Sequence, residues 1–136
     1  MHINLESDYA IRIVHCLTVS RSRMDAQNIA DNTNVSLRFT LKIMRKLVSA
    51  GIVRSFKGAH GGYILARPPA DITVRQVIEA VEGQYRFSRC LDDAYVCDCD
   101  PGCPFQAVFN EVTDMVRKKL DSVTFQELSG NVQAAH

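Results

Sequence analysis

The amino-acid sequence predicts a mainly α-helical fold: a winged helix-turn-helix DNA-binding domain followed by a long C-terminal dimerisation helix. Three observations predict it: two short helical patterns joined by a polar turn, an alternating pattern around a glycine-rich tip, and a long amphipathic segment near the C-terminus. We expect residues 1–83 to form the winged helix-turn-helix region, residues 84–103 a cysteine-rich loop, and residues 104–136 the dimerisation helix and a C-terminal tail.

Composition and charge limit the classes of protein to consider. A chain of 136 residues, 46% apolar and 23% charged, has the composition of one globular domain. No apolar run approaches the roughly 18 to 20 residues that cross a bilayer, and the N-terminal residues lack a basic leader. We therefore expect a cytoplasmic protein with no membrane partner. Residues 1–75 carry 11 Lys and Arg against 5 Asp and Glu, whereas residues 76–136 carry 5 against 10, so the basic half suits contact with phosphates.

The first helix is predicted from residue 7 to about residue 20. Its apolar positions recur at helical spacing, and Ser7 or Asp8 is available as the N-cap. Cys16 lies on the same apolar stripe as Ile13, so we interpret it as a small buried hydrophobic residue rather than a ligand.

Two further helices are predicted to form a helix-turn-helix. Asp25 caps a short helix, a polar Asn-Thr-Asn turn follows, and Ser36 caps a longer helix that closes at Gly51. The alternative is a generic helical hairpin with a solvated basic face. The residues of the longer helix that we expect to face the core are Leu37, Leu41, Met44, Leu47 and Val48.

The segment that follows favours a winged helix over a generic hairpin. It reads IVRSFKGAHGGYILARPP and alternates apolar and polar residues on both sides of a glycine-rich tip, as a β-hairpin does. A hairpin directly after a recognition helix is a wing, whose tip can enter the minor groove. Pro68 and Pro69 end the second strand, and a helix is predicted within residues 72–83.

Double-stranded DNA is therefore the predicted partner. Side chains at the start of the recognition helix suit base edges and phosphates, and the wing adds cationic and hydrogen-bonding groups. No phosphate-binding glycine loop or nucleophile motif is present, so we expect neither an enzyme nor a small-molecule substrate. The predicted DNA-binding residues are Gln27, Ser36, Arg38, Thr40, Lys42, Arg45, Arg54, Lys57, His60 and Gly61.

The C-terminal segment PFQAVFNEVTDMVRKKL predicts a helix with one broad apolar face. At about 1.5 Å per residue it spans roughly 25 Å, which is more apolar length than a small domain needs for its own core. Pairing with the same helix of a second subunit, as a homodimer, is the predicted use. The alternative is a helix folded back on its own domain.

Four cysteines fall within fourteen residues, as CLDDAYVCDCDPGC. In a reducing compartment such a cluster indicates metal ligands or redox centres rather than structural disulfides. Zinc sites favour two pairs of cysteines with two to four residues within each pair, and only Cys99 and Cys103 fit that spacing. An iron–sulfur cluster, zinc and free thiols stay open on spacing alone.

Three stretches carry a resemblance to a known family: AGIVRSFKGAHGGYILARPP, ITVRQVIEAVEG, and the CPF that opens a long helix closing near VTFQEL. Together they resemble the Rrf-two family of bacterial transcriptional regulators, in its iron–sulfur branch of IscR-, NsrR- and RirA-like members, over residues 3–128. The resemblance implies a two-fold dimer and a cluster bound by three cysteines before the dimer helix. By that pattern the ligands are Cys90, Cys97 and Cys103, with Cys99 as an additional or substitute thiol.

The resemblance also bears on the fourth ligand. IscR-like members have a histidine three residues after the last cysteine, where this chain has Gln106; NsrR-like members use an aspartate near the start of the first helix of the partner subunit, and Asp8 matches it. Asp8 from the partner subunit is thus the implied ligand, with an N-cap or solvated role as the alternative and His15 in reserve. A 4Fe-4S cluster is favoured over a 2Fe-2S cluster.

The function that the resemblance implies is a cluster-sensing DNA-binding regulator, with repression favoured, that responds to nitric oxide, redox state or iron and cluster status. The alternative is a cluster-free, thiol-based redox regulator of the same family. One departure from the family pattern, Phe39-Thr40-Leu41-Lys42 in the recognition helix, affects the operator sequence and not the fold.

Overall fold

The computed structural model describes residues 3–88, 91 and 103–134, with the side chains of 131–134 left aside. Within these residues three helices, a two-stranded hairpin, a short 3-10 turn and three further helices follow one another. Their bounds are α1 Leu5–Ser20, α2 Ala26–Thr33, α3 Leu37–Ser49, β1 Val53–Phe56, β2 Gly62–Leu65, the 3-10 turn Pro69–Asp71, α4 Val74–Glu82, α5 Pro104–Asp121 and α6 Phe125–Ala134. The predicted mainly helical, winged fold is confirmed.

Side-chain caps set the starts of the first three helices. The predicted caps Asp25 and Ser36 are confirmed, since they accept hydrogen bonds from the backbone N–H groups three residues on. The predicted cap of α1 is wrong. Asn4 accepts from the N–H of Ser7 at 2.8 Å, which starts the helix earlier and leaves Ser7 and Asp8 inside its first turn.

The core lies where α1, α2, α3 and α4 meet. Residues of all four helices are fully buried there, among them Ile13, Ile29, Ile43, Met44 and Val77. Leu37 and Leu41, which the sequence placed in the core, are instead 41% and 36% exposed. The inward face of α3 centres on buried Thr40, and one residue further along a helix turns the side chain by about 100°, so Leu41 lies at the border of the face.

The predicted wing is confirmed. Strands β1 and β2 pair antiparallel, with Val53 opposite Leu65 and Phe56 opposite Gly62. The segment between α1 and α2 joins the hairpin: the backbone of Met24 donates to the Tyr63 carbonyl at 3.1 Å and accepts from the Tyr63 N–H at 2.7 Å. The wing is thereby tied to the body of the domain along one edge.

Helix α4 lies between the core and α5. Its start carries a capping box, in which Thr73 and Gln76 satisfy each other's backbone N–H groups. One face of α5 contacts the segment that follows α4, where the Phe87 N–H donates to the Thr113 hydroxyl at 3.0 Å and the rings of Phe87 and Phe109 lie 5.3 Å apart. This face fixes the direction in which α5 leaves the domain.

The long helix predicted to close near residues 123–128 ends instead at Asp121, and α6 follows it. The Val74 N–H donates to the Val123 carbonyl at 3.0 Å, and the Phe125 N–H donates to the Ile72 carbonyl at 3.0 Å. Phe125 is only 1% exposed and belongs to the hydrophobic core. The segment predicted to end the long helix therefore turns back and packs against the core. None of the described helices is long and apolar enough to cross a bilayer.

Candidate DNA-binding face and cluster-ligand region

Helix α3 presents a basic face to solvent. Arg38, Lys42 and Arg45 are exposed at spacings of four and three residues, so they follow one side of the helix. Ser36, at the start, is also exposed, and its hydroxyl accepts from the Phe39 N–H at 3.2 Å as the cap. This arrangement presents both positive charge and a helix N-terminus, the two features that bind phosphates.

Two of the predicted DNA-contact residues on the helix-turn-helix, Gln27 and Thr40, differ from the others in hydrogen bonding or in exposure. Gln27 is exposed on α2, and its amide donates to Asp31 at 2.9 Å, which leaves its carbonyl oxygen unused by that bond. The prediction for Thr40 is wrong because its side chain is 0% exposed. It lies at the centre of the inward face of α3, with its hydroxyl unpartnered among the described residues, and cannot reach DNA.

A carboxylate of α1 neutralises part of the basic face. Glu6 binds the ammonium of Lys42 at 2.5 Å and that of Lys46 at 2.8 Å, and Lys46 also donates to the Val81 carbonyl at 3.3 Å. Hydrogen bonds from Lys42 and then Lys46 lower the pKa of Glu6 below its usual range. The ion pairs are therefore complete at neutral pH, and their contribution to stability is lost only as the pH falls through that lowered pKa.

Glu6→Gln is expected to tighten binding to non-specific DNA. The substitution frees Lys42 and Lys46 to contact phosphates and removes a negative charge beside them. We expect the slope of log K against log salt to steepen by about 1 for each new phosphate contact, and affinity at low salt to rise about threefold to tenfold. Fluorescence anisotropy with a random duplex at several salt concentrations measures both. Glu127→Gln, the same change on an exposed residue of α6, is the control, and an unchanged slope in Glu6→Gln would show that the pair does not mask the lysines.

The wing places three predicted contacts at the surface: Arg54, Lys57 and His60 are exposed. Gly61 acts through its backbone. A Cβ there would lie 2.7 Å from the Phe56 carbonyl oxygen and 2.9 Å from that of Gly58, so only glycine fits the tip. Gly61 lets the hairpin turn tightly and offers no side chain to DNA.

Arg23 holds the wing against the domain and was not predicted from the sequence. Its guanidinium donates to the His60 carbonyl at 2.6 Å and lies 3.8 Å from the centroid of the Phe56 ring, a cation–π contact. Both partners are more than thirty residues away in the chain. Only an exposed arginine next to an interhelical turn was visible in the sequence, and that pattern does not distinguish an anchor from a solvated charge.

Of the four clustered cysteines, Cys103 is the one that the structure describes; Cys90, Cys97 and Cys99 lie outside the described residues. Cys103 is half-buried and immediately precedes α5, with Pro104 at the first helical position. Among the described residues no three His, Cys, Asp or Glu side chains converge as a metal site, which leaves the prediction for the loop untested.

The predicted non-thiol ligands differ in their surroundings. Asp8 lies in the first turn of α1, 42% of its side chain is exposed, and one carboxylate oxygen binds Arg12 at 2.9 Å. The Nδ1 of His15 contacts the Ser129 hydroxyl at 3.1 Å, which engages this histidine in holding α6. Gln106 is exposed on α5. Asp8 is thus the more accessible donor to a second subunit.

Cys16 does not behave as a ligand. It is half-buried, its sulfur lies 3.8 Å from that of Met24, and burial raises the pKa of its thiol. A protonated thiol beside a thioether fits a packing role.

Helix α5 has two different faces. Thr113 is buried and faces the domain, whereas Phe105, Val108 and Met115 are 67%, 53% and 70% exposed. The exposed residues recur at intervals of three and seven and so form one apolar stripe along the helix. The predicted apolar face is therefore only partly covered by the chain itself.

The comparisons with known proteins agree with this geometry. The model of the Rrf2 family, described as iron-dependent transcriptional regulators, matches residues 3–131. The chain is 26% identical over 134 residues to the transcriptional regulator NsrR of Bacillus subtilis, covering 96% of this chain and 92% of that protein. It is 28% identical over 130 residues to the protein rrf2 of Nitratidesulfovibrio vulgaris, covering 94% and 87%.

Two solved structures share the fold over nearly their whole lengths. IscR of T. potens matches with a TM-score of 0.79 at 25% identity, covering 100% of this chain and 91% of that one. CymR, the global cysteine regulator of B. subtilis, matches with a TM-score of 0.77 at 26% identity, covering 96% and 98%. These relatives are regulators of transcription and not enzymes. With its winged helix-turn-helix and a family match over residues 3–131, the chain belongs to the Rrf2 family of transcriptional regulators.

Proposed function

We propose that this protein is an iron–sulfur cluster-sensing repressor that binds operator DNA as a homodimer. The observation that carries the proposal is the cluster of four cysteines within fourteen residues, whose last member begins the helix with the exposed apolar stripe. A ligand-rich loop at the base of such a helix places a chemical signal next to the subunit interface.

DNA contact in this proposal uses α3 and the wing. Arg38, Lys42 and Arg45 face the major groove, with Ser36 and Gln27 at the edge of the helix-turn-helix. Arg54, Lys57 and His60 approach the phosphates and the minor groove from the wing, whose tip Gly61 shapes. The exposure of these side chains and the spacing along α3 support the assignment.

The dimer in this proposal forms through α5. Its stripe of Phe105, Val108 and Met115 exposes three large apolar side chains on one side of the helix, and such a patch is typical of a protein–protein interface. Beside α5 lies a groove of about 440 Å³, whose lining includes the apolar residues Ile3, Phe87 and Leu120 together with polar residues of the segment after α4. A second α5 crossing this face would bury the stripe and place two recognition helices on one palindromic site.

The proposed cluster ligands are Cys90, Cys97 and Cys103 of one subunit with Asp8 of the partner, and Cys99 is the substitute thiol. Three thiolates and one carboxylate suit iron, and a 4Fe-4S cluster is favoured over a 2Fe-2S cluster. The two described donors fit this role: Cys103 is half-buried at a helix N-terminus and Asp8 keeps an accessible carboxylate. When bound, the cluster would supply a centre that reacts with nitric oxide, with oxidants or with changes in iron supply.

The chain has a direct route from this region to the DNA-reading parts. Cys103 immediately precedes α5, which contacts α4, and the chain then returns through α6 to the core at Phe125. Asp8 shares the first turn of α1 with Glu6, which holds two lysines of the recognition helix. A free-energy difference of a few kcal/mol between two arrangements of these helices is enough to change operator occupancy about a hundredfold.

A cluster-free thiol regulator is the second candidate. The similarity to CymR, a cysteine regulator, favours it as much as the similarity to IscR favours a cluster, because both structures share this fold. Iron content separates the two candidates.

Cys103→Ser is expected to remove the cluster. Protein purified without oxygen should be brown, absorb near about 400 nm and contain about four irons and four sulfides per subunit, and Cys103→Ser should lose most of both. Cys16→Ala is the control, since Cys16 lies outside the loop, and should keep the full iron content.

Asp8→Ala should keep the thiolate-bound iron but react faster with chelators. Wild-type protein that stays free of iron after reconstitution would support the thiol regulator, and an iron content that Cys103→Ser leaves unchanged would remove Cys103 from the ligand set.

A further inference from the structure

A cavity of about 550 Å³ lies away from α5, between the C-terminal end of α1, the end of β2 and α6. Leu17, Leu65 and Pro69 give it apolar walls, and Thr18 and Ser129 add hydroxyl-bearing residues. Its volume falls within the range of small-molecule sites, which are largely apolar with a few polar groups.

The charged side chains that line the cavity are all positive. Arg21 and Arg67 both line it, and no Asp or Glu is found among its described lining residues. Neither arginine forms an ion pair with a carboxylate anywhere in the part of the chain that the structure describes. The cavity therefore combines apolar walls with two uncompensated guanidinium groups.

Arg67 carries the more specific signal. Its Nε is shielded from solvent and has no hydrogen-bond partner within the described residues. Leaving a buried donor unpaired costs about 1 to 3 kcal/mol, and more on a charged group. Arg21, by contrast, is exposed to solvent at the C-cap of α1, although it also lines the cavity.

We propose that this cavity binds a small organic anion, a monocarboxylate with an apolar body, as an effector. A carboxylate matches the paired N–H groups of a guanidinium, and Arg67 and Arg21 both line the cavity. The apolar body would lie against Leu17 and Leu65. A DNA phosphate is the less suitable occupant because it carries no apolar group to lie against Leu17 and Leu65.

The position of the cavity gives the ligand a means of regulation. Its walls come from α1, from the second strand of the wing and from the helix that returns from α5. A ligand that contacts all three favours one placement of the wing against the body, and operator affinity changes by the ratio of its affinities for the two placements. This site is independent of the proposed cluster and of its ligands.

The test is titration of the full-length, 15N-labelled protein with benzoate, with the neutral isostere benzamide and with inorganic phosphate, in the absence of DNA. Benzoate is expected to shift the Nε–Hε signal of Arg67 and the backbone amides of Thr18 and Ser129 saturably, with a Kd of about 1 mM or below, and benzamide is not. Arg67→Gln should weaken binding about tenfold or more, whereas Arg86→Gln, whose residue lines a different groove, should leave it unchanged.

Arg21→Gln provides a second variant, at an exposed position, should Arg67→Gln fail to fold, and a loss of about threefold or more is then expected. The proposal is overturned if benzoate and benzamide bind alike, if no saturable shift appears, or if the arginine variants bind benzoate as the wild type does. It is also overturned if phosphate alone binds as tightly as benzoate, or if Arg67→Gln weakens operator binding and operator DNA displaces benzoate. None of these readouts depends on iron.

Discussion

Met115→Glu is expected to convert the proposed dimer into a monomer and to lower operator affinity at least about a hundredfold. Met115 is 70% exposed at the C-terminal end of the apolar stripe of α5, where the proposed interface would bury it. A carboxylate buried there without a partner costs several kcal/mol, and the two heads would then bind their half-sites separately. Joining two binding modules raises affinity by about 10² to 10⁴, which is the gain that the monomer forfeits.

Sedimentation equilibrium and a mobility shift on a palindromic operator measure the two consequences. Asn110→Glu is the matched control, because it adds the same charge to an exposed position about 140° around the helix from Met115. It should remain dimeric and bind the operator as the wild type does. A Met115→Glu protein that stays dimeric with undiminished affinity would place the subunit interface elsewhere.

The sequence was sufficient for the parts of the fold that depend on neighbouring residues. Asp25 and Ser36 cap helices through bonds to the third residue along, and the alternation around Gly61 selects a hairpin, so both can be read locally. The rotation of a helix about its axis is less well determined. Thr40 was predicted to face DNA and is buried instead. Leu37 and Leu41 are apolar but exposed, so the sequence pattern fitted a helix rotated by one position equally well.

The contacts that the sequence missed join distant parts of the chain. Glu6 meets Lys46 across 40 residues, and Arg23 meets the carbonyl of His60 across 37. Each residue alone resembles an exposed charge, and only the packing of helices shows its partner. The same difficulty applies to Asp8 across two subunits. Its accessibility can be seen in one chain, but the cluster role proposed for it depends on contacts with the partner subunit.

The return of the chain through α6 was missed for a related reason. Residues 123–128 directly follow a long amphipathic helix, and the sequence predicted them to be the end of that helix. One aromatic residue holds this segment against the domain: the Phe125 side chain enters the core, and its N–H donates to the carbonyl of Ile72. A single anchor of this kind has no periodicity to reveal it.

Phe125→Ala is accordingly expected to lower the free energy of unfolding by about 3 to 5 kcal/mol, the usual range for removing a buried phenyl ring from a core. The ring is 1% exposed and belongs to the hydrophobic core, and α6 contacts α1. Leu128→Ala, on the same helix but 39% exposed, is the control and should cost less than about 1 kcal/mol. Urea unfolding at one fixed protein concentration compares them, since the stability of a dimer depends on concentration.

The same substitution tests whether α6 connects the subunit interface to the DNA-reading head. If Phe125 fixes α5 to the core, Phe125→Ala should weaken operator binding at temperatures where the protein is still folded, because the two heads no longer hold one spacing. Phe125→Leu, which retains an apolar side chain, should recover most of both stability and affinity. Equal losses of stability in Phe125→Ala and Leu128→Ala would contradict the buried contact, and full operator affinity in a destabilised Phe125→Ala would restrict α6 to a structural role.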